Sequence, residues 1–300
     1  MRNLELRGII PPIVTPMNED ESINEQELRN QVNRQIEAGA HGIFPFGTNG
    51  EAYILSEEEK ERVLAIVIEE TNKRVPVYAG TGCISTKDTI RLSKKAQELG
   101  ADVLSIITPS FAAASQEELY QHFKAVAEAV DMPIVLYNIP ARTGNAISPA
   151  TVKRLSKIKN IVGVKDSSGN FDNMLQYIEV TRDREDFVVL SGNDSLILWN
   201  LMAGGSGGIA GCANVYPEVM VSIYENFKAG NIEKARQAQD SIRSFRGCFK
   251  HGNPNTIVKA AVDMLGHPVG KCRAPFNYIP QAGIEELKTV LEENKNKGMK

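Results

Sequence analysis

Cysteine is scarce in this chain of 300 residues: Cys83, Cys212, Cys248 and Cys272 are its four. No Cys-x-x-Cys pair occurs among them, which excludes a disulfide framework and reads as buried, reduced thiols. Histidine is equally rare, and His41, His122, His251 and His267 form no metal-spaced cluster, so no metal is expected. Neither sign of charge prevails, since 34 Lys and Arg stand against 37 Asp and Glu for a net charge of −3. Phosphate binding needs concentrated cations, so nucleic acid is excluded as the main ligand. No apolar run approaches the roughly 18 residues of a membrane span. The opening Met1-Arg2-Asn3-Leu4-Glu5-Leu6-Arg7 lacks the apolar core of a secretory signal. No Gly-x-Gly-x-x-Gly turn follows the first apolar run, which weakens a dinucleotide-binding fold. With 42% hydrophobic residues there is ample material for a core, and disorder is excluded. A cytoplasmic, metal-independent globular protein with no nucleic-acid or membrane partner is the first expectation.

What is present is alternation. Candidate strands fall at 12–15, 42–46, 75–80, 103–108, 133–138, 161–165, 187–191 and 208–212. These are near-continuous apolar runs, as parallel strands covered on both faces require. Helical stretches separate them: Leu28, Val32 and Ile36 recur every four residues, and Val63, Leu64, Ile66 and Val67 make a broader apolar face. Ser56 with Glu59 and Ser115 with Glu118 fit capping boxes. A weak internal repeat reinforces the pattern. Ala38-Gly39-Ala40-His41-Gly42-Ile43 matches Leu99-Gly100-Ala101-Asp102-Val103-Leu104, each with a glycine cap shortly before a strand, and Met202-Ala203-Gly204 is a looser third copy. Eight β/α units predict a (β/α)8 barrel, with fewer strands expected of a doubly wound sheet. Helical stretches at 218–228, 232–249, 256–265 and 283–295 follow, and the tail 294–300 is expected to fray. With no low-complexity linker in view, residues 1–228 read as the barrel and 229–300 as a C-terminal helical extension of the same domain.

Barrel chemistry sits at the C-terminal ends of the strands. Lys165 ends the apolar run Ile161-Val162-Gly163-Val164, so its ammonium should point into a barrel mouth. Burial there is costly unless the charge is paired or the pKa falls. A lowered pKa frees the amine to attack a carbonyl and form a Schiff base; the alternative is a structural lysine paired with Asp166. The loop Gly47-Thr48-Asn49-Gly50-Glu51 can wrap a carboxylate with N–H and hydroxyl donors, or be an ordinary βα turn. Tyr137 can relay a proton or serve as a core aromatic. Arg142 can grip a carboxylate bidentately or be a solvated loop charge. Cys212 reads as a small buried residue.

Three motifs, in order and spacing, resemble the dihydrodipicolinate synthase/N-acetylneuraminate lyase superfamily over nearly the whole chain. They are Gly47-Thr48-Asn49-Gly50-Glu51, Tyr137-Asn138-Ile139-Pro140-Ala141-Arg142-Thr143-Gly144 and Gly163-Val164-Lys165-Asp166-Ser167-Ser168-Gly169. The resemblance implies a pyruvate-dependent class I Schiff-base enzyme on a (β/α)8 barrel, commonly a homotetramer built as a dimer of dimers. On that resemblance Lys165 forms the imine with pyruvate or another 2-oxo acid, and Tyr137 passes protons. Thr48 and Asn49 hold the substrate carboxylate, and Ile209 falls where a backbone carbonyl lies near the pyruvate-derived carbon. The imine serves in place of a cofactor, so none is expected.

Within the superfamily two branches compete. Arg142, the stretch Ser115-Gln116-Glu117-Glu118-Leu119-Tyr120-Gln121-His122-Phe123, and Asn253-Pro254 before Val258-Lys259 look like the synthase branch, where the arginine binds the carboxylate of aspartate semialdehyde. Two departures point elsewhere. Synthases generally carry Pro-Tyr-Tyr after the fourth strand, the second tyrosine crossing the subunit interface, whereas Pro109-Ser110-Phe111 here keeps a ring but no hydroxyl. Asn49 also replaces a threonine. The balance leans to aldol cleavage or condensation of a 2-keto-3-deoxy sugar acid, with the synthase reaction as the alternative and a non-catalytic oligomeric binder as the third possibility. Where lysine-sensitive synthases tend to have His or Asn residues, Glu57, Lys60 and Ile84 stand. Free lysine is therefore expected to leave turnover unchanged in a steady-state assay; a micromolar inhibition constant would refute this.

Overall fold

The glycines of the internal repeat set the rhythm of the chain. In the computed structural model, which describes residues 4–299, helix Glu25–Glu37 stops just before Gly39 at φ +89°. Helix Thr86–Leu99 stops on Gly100 at φ +95°, and Ile197–Met202 shortly before Gly204 at φ +98°. All three copies thus adopt the left-handed conformation that glycine tolerates and other residues resist. Both expected capping boxes form, Ser56 with Glu59 and Ser115 with Glu118, each hydroxyl accepting a backbone N–H while the glutamate returns the bond.

The strands are β1 Gly8–Ile10, β2 Tyr78–Gly80, β3 Val103–Ile107, β4 Ile134–Asn138, β5 Ile161–Asp166, β6 Val188–Ser191 and β7 Gly207–Ile209. The contacts divide the chain into two compact units. One holds Pro76–Ile209 and the segment ending at Gly8. In it β2 to β7 lie side by side in sequence order, every neighbouring pair parallel. Gly8 joins the edge by donating its N–H to Ser206 O at 2.9 Å. Their valines, isoleucines and leucines are almost wholly buried, as the unbroken apolar runs require.

The other unit holds Ile9–Val75 and the chain from Ala210 onward. Here the expectation for 12–15 and 42–46 needs correction. The regular strand lies upstream, at β1, because Pro11 and Pro12 supply no N–H to a ladder. Residues 42–46 do run alongside: His41 N–H donates to Ile9 O, Phe44 N–H to Pro11 O and Ile13 N–H to Phe44 O, at 2.8 to 3.1 Å. The Asn214 amide completes the pairing, accepting from Val14 N at 3.0 Å and donating to Pro12 O at 3.0 Å. A side chain here stands in for a neighbouring strand.

Beyond β7 the helices are Pro217–Lys228, Ile232–Ser241, Arg243–Gly247, Pro254–Met264 and Gln281–Asn296. The single stretch expected at 232–249 is therefore broken. The tail expected to fray from 294 is instead anchored at its start: Asn294 is buried, donates to Tyr216 Oη at 3.0 Å and accepts from Ser244 Oγ at 3.1 Å. Among the described residues no helix is long and apolar enough to cross a membrane.

His122 exemplifies a burial that pH can read. It sits on helix Gln116–Ala129, with Nδ1 2.9 Å from Thr86 Oγ1 and Nε2 buried without a partner. Burial pulls its pKa down to about 4. An unfolded histidine, near 6.5, takes up a proton first as pH falls, so the unfolded state gains. The neutral ring's contribution is full above about pH 6.5 and is lost toward about pH 4. Urea unfolding across that window should show a shallower loss of stability in His122→Leu than in the parent; equal slopes contradict the assignment.

Candidate active site

Strand β4 ends in Tyr137-Asn138 and β5 in Lys165-Asp166, and the two run in register with Tyr137 opposite Lys165 and Asn138 opposite Asp166. Successive residues of a strand face opposite ways. The ammonium of Lys165 and the carboxylate of Asp166, neighbours in sequence, consequently point apart. Asp166 is fully buried and accepts from Asn138 Nδ2 at 2.8 Å, Ser168 N at 3.1 Å, Ser168 Oγ at 2.9 Å and Asn173 Nδ2 at 3.1 Å. Those bonds hold the carboxylate on its own face of the sheet.

Lys165 instead places Nζ 3.8 Å from the centre of the Tyr137 ring, the two residues only 4% and 3% exposed. An aromatic face attracts a cation through its negative quadrupole. The lysine stem passes Gly192, which follows β6. A Cβ added there would lie 2.8 Å from Lys165 Cε and 1.9 Å from Ser167 Oγ. Only a bare backbone leaves that passage open.

In the same unit Arg142 sits exposed on the short helix Pro140–Thr143 after β4. The helix is pinned by Thr143, whose Oγ1 accepts from Thr108 Oγ1 at 2.8 Å and donates to Asn145 O at 3.0 Å. Asn145 also holds the loop carrying Phe111, donating to Pro109 O and Ala112 O and accepting from Ala114 N. Phe111 itself is 100% exposed at φ +78°, so within this chain the ring has no packing to preserve. Ile209 closes β7 and is buried. Cys212 is buried as expected.

Thr48 and Asn49 belong to the other unit. Their loop turns tightly, Glu51 N–H donating to Thr48 O and Ala52 N–H to Gly47 O. Gly50 admits no side chain: a Cβ would lie 2.7 Å from both N and Cα of Phe46. Phe46 at φ +37° and Glu51 at φ +60° are left-handed non-glycine residues, each costing about 1–3 kcal/mol. The Glu51 carboxylate offsets that strain. It accepts from Lys259 Nζ at 2.7 Å and from Arg273 N at 2.9 Å, and the Glu51 and Lys259 side chains are 0% and 1% exposed. Lys259 Nζ also donates to Lys271 O at 2.8 Å. Asn255 Nδ2 donates to Thr48 O at 2.6 Å. The Arg273 guanidinium grips Glu59 and Glu21 O and holds the Glu59 carboxyl below its usual range. Beside them, burial and the Glu51 charge push the Cys272 thiol up to about 12.

The side chains that secure this loop were not legible as such in the sequence. Glu51 and Lys259 lie 208 residues apart, and no spacing rule connects them. One signal was available: a lone lysine inside the apolar helix 256–265 must find a buried anion. Among the described residues no group of three or more His, Cys, Asp or Glu is arranged to hold a metal ion.

Comparisons place this geometry among known proteins. Residues 5–294 match the dihydrodipicolinate synthetase family. The chain is 42% identical to the 4-hydroxy-tetrahydrodipicolinate synthase of Methanopyrus kandleri over 96% of both chains. It is 44% identical to that of Syntrophus aciditrophicus, over 95% of this chain and 97% of the relative. The solved dihydrodipicolinate synthase of Bacillus anthracis superposes with a TM-score of 0.92 at 35% identity, covering 96% and 98% of the two chains. The fold is the expected (β/α)8 barrel with C-terminal helices.

Gly192→Ala should leave the fold intact while displacing the Lys165 stem. A fall in activity of about 10²-fold with unchanged circular dichroism is the expected outcome. Full activity in that variant would mean the passage is not constrained.

Proposed function

The chain belongs to the dihydrodipicolinate synthetase family and is a lyase-type enzyme, and from that premise we propose that it condenses pyruvate with aspartate semialdehyde through an imine on Lys165. The observation that carries the proposal is the buried Lys165 amine lying against Tyr137, with Asp166 bound elsewhere. Once deprotonated, an amine at this place is a nucleophile. It attacks the keto carbon, a water leaves, and the protonated imine draws electrons from the adjacent methyl group so that an enamine forms. The enamine carbon then bonds to the aldehyde carbon of the semialdehyde. Tyr137 moves the protons of imine formation and bond making. Thr48 and Asn49 hold the pyruvate carboxylate, Arg142 the carboxylate of the semialdehyde, and the Ile209 carbonyl faces the pyruvate-derived carbon, as the resemblance implies. The imine is the electron sink, so the reaction draws on no separate cofactor.

The sequence balance leaned to aldol chemistry on a 2-keto-3-deoxy sugar acid. Relatives named 4-hydroxy-tetrahydrodipicolinate synthase across bacteria and archaea support the condensation instead. Sugar-acid cleavage stays as the second reading because Phe111 carries no hydroxyl and Asn49 stands where a threonine is usual. A non-catalytic binder has no use for a buried strand-end amine and is set aside. We further propose a cytoplasmic homotetramer, which sedimentation would check.

Borohydride reduction in the presence of pyruvate should leave a stable adduct on Lys165, absent in Lys165→Ala. Tyr137→Phe should cut turnover by about 10²–10⁴-fold. Arg142→Ala should raise KM for the semialdehyde more than for pyruvate. Cleavage of 2-keto-3-deoxy acids without any condensation activity would reverse the order of the two readings, and unmodified Lys165 would end both.

A further inference from the structure

The Glu51–Lys259 pair is far more elaborate than an ordinary turn needs. Glu51 occupies a left-handed conformation at φ +60°, immediately after Gly50, whose surroundings admit no Cβ. Its two carboxylate oxygens are held separately: Oε1 by the Lys259 ammonium and Oε2 by the Arg273 backbone N–H. Lys259 is in turn fixed by Lys271 O, and Asn255, on the same helix Pro254–Met264, donates to Thr48 O. Thr15 Oγ1 also donates to Gly50 O at 2.8 Å. Three side chains from distant parts of the sequence thereby fix the path of the loop on which Thr48 and Asn49 lie.

We propose that Glu51, Lys259 and Asn255 are positioning residues for carboxylate binding, the helix Pro254–Met264 acting as a brace that sets the backbone of Thr48 and Asn49. The inference rests on Thr48 and Asn49 being the ligands of the pyruvate carboxylate. Burying two charges is not an efficient way to stabilise a fold, since apolar residues of similar volume often do as well or better. What an ion pair adds is direction: one anion at one place, reached by one cation, enforces one course of the chain. Glu51 and Lys259 are thus used to select a loop geometry.

Stability and positioning make different predictions for a double replacement. In Glu51→Leu/Lys259→Met no buried charge is left without its partner, so the unfolding temperature should return toward the parent's. The pyruvate concentration that half-saturates borohydride trapping at Lys165 should nonetheless stay raised by about tenfold, with the same maximal trapping, because Lys165 is untouched. Asn255→Ala, which leaves the ion pair in place, should raise it in the same direction and speed amide hydrogen exchange in 47–51. A double variant that regains both stability and the parent's half-saturation, or an Asn255→Ala protein indistinguishable from the parent, overturns the inference alone. Absence of trapping in the parent itself overturns the function on which the inference rests.

Discussion

A parallel register between two strands sets the arrangement on which the proposed chemistry depends. Because Tyr137 on β4 pairs with Lys165 on β5, strand alternation delivers an amine and a phenol ring to one face and Asn138 with Asp166 to the other. A slip of one residue would exchange the two sets and present a carboxylate where the amine now stands. The register is defended on the Asp166 side by the donors from Asn138, Ser168 and Asn173. The hydrogen bonds that hold the acid thus also hold the lysine, through the backbone rather than by contact.

Two lysines are buried among the described residues, and their surroundings give them opposite fates. Lys259 meets a carboxylate and a carbonyl, and the two hydrogen bonds fix it in place. Lys165 meets an aromatic face, and its stem slides past a glycine that yields space without supplying charge. Sequence composition alone treats the two alike. Their environments differ although their burial is the same, so burial by itself does not tell the two apart.

Much is legible in the sequence alone because it depends on short-range physics. Gly39, Gly100 and Gly204 cap their helices in the left-handed conformation, and Ser56 and Ser115 close their boxes, since each device spans four residues or fewer. The strand ends bearing Tyr137 and Lys165 followed from apolar runs of the right length. The failures share the opposite character. Regular structure was expected at 12–15, but two prolines and a distant asparagine, Asn214, decide the bonding there. The end of the chain was expected to fray, but Asn294 reaches a buried tyrosine 78 residues away. Partners separated this far leave no periodic trace, so they emerge only from the folded chain.

The absent hydroxyl at position 111 bears on the reaction differently once its surroundings are known. Asn145 binds both flanks of the loop and leaves Phe111 wholly exposed, whereas Lys165 and Tyr137 are buried. A ring so placed takes no part in proton movement at the amine of its own chain. The resemblance puts its counterpart across a subunit boundary. On the proposed reading the chemistry of one chain rests on Tyr137, and the choice of second substrate on what Arg142 can bind. Arg142 stands on a one-turn helix whose neighbour Thr143 ties it to the β3 end through Thr108. That anchorage gives an exposed guanidinium a fixed base, which favours bidentate capture of a carboxylate over free solvation. This is the arrangement on which the proposed condensation with a semialdehyde relies.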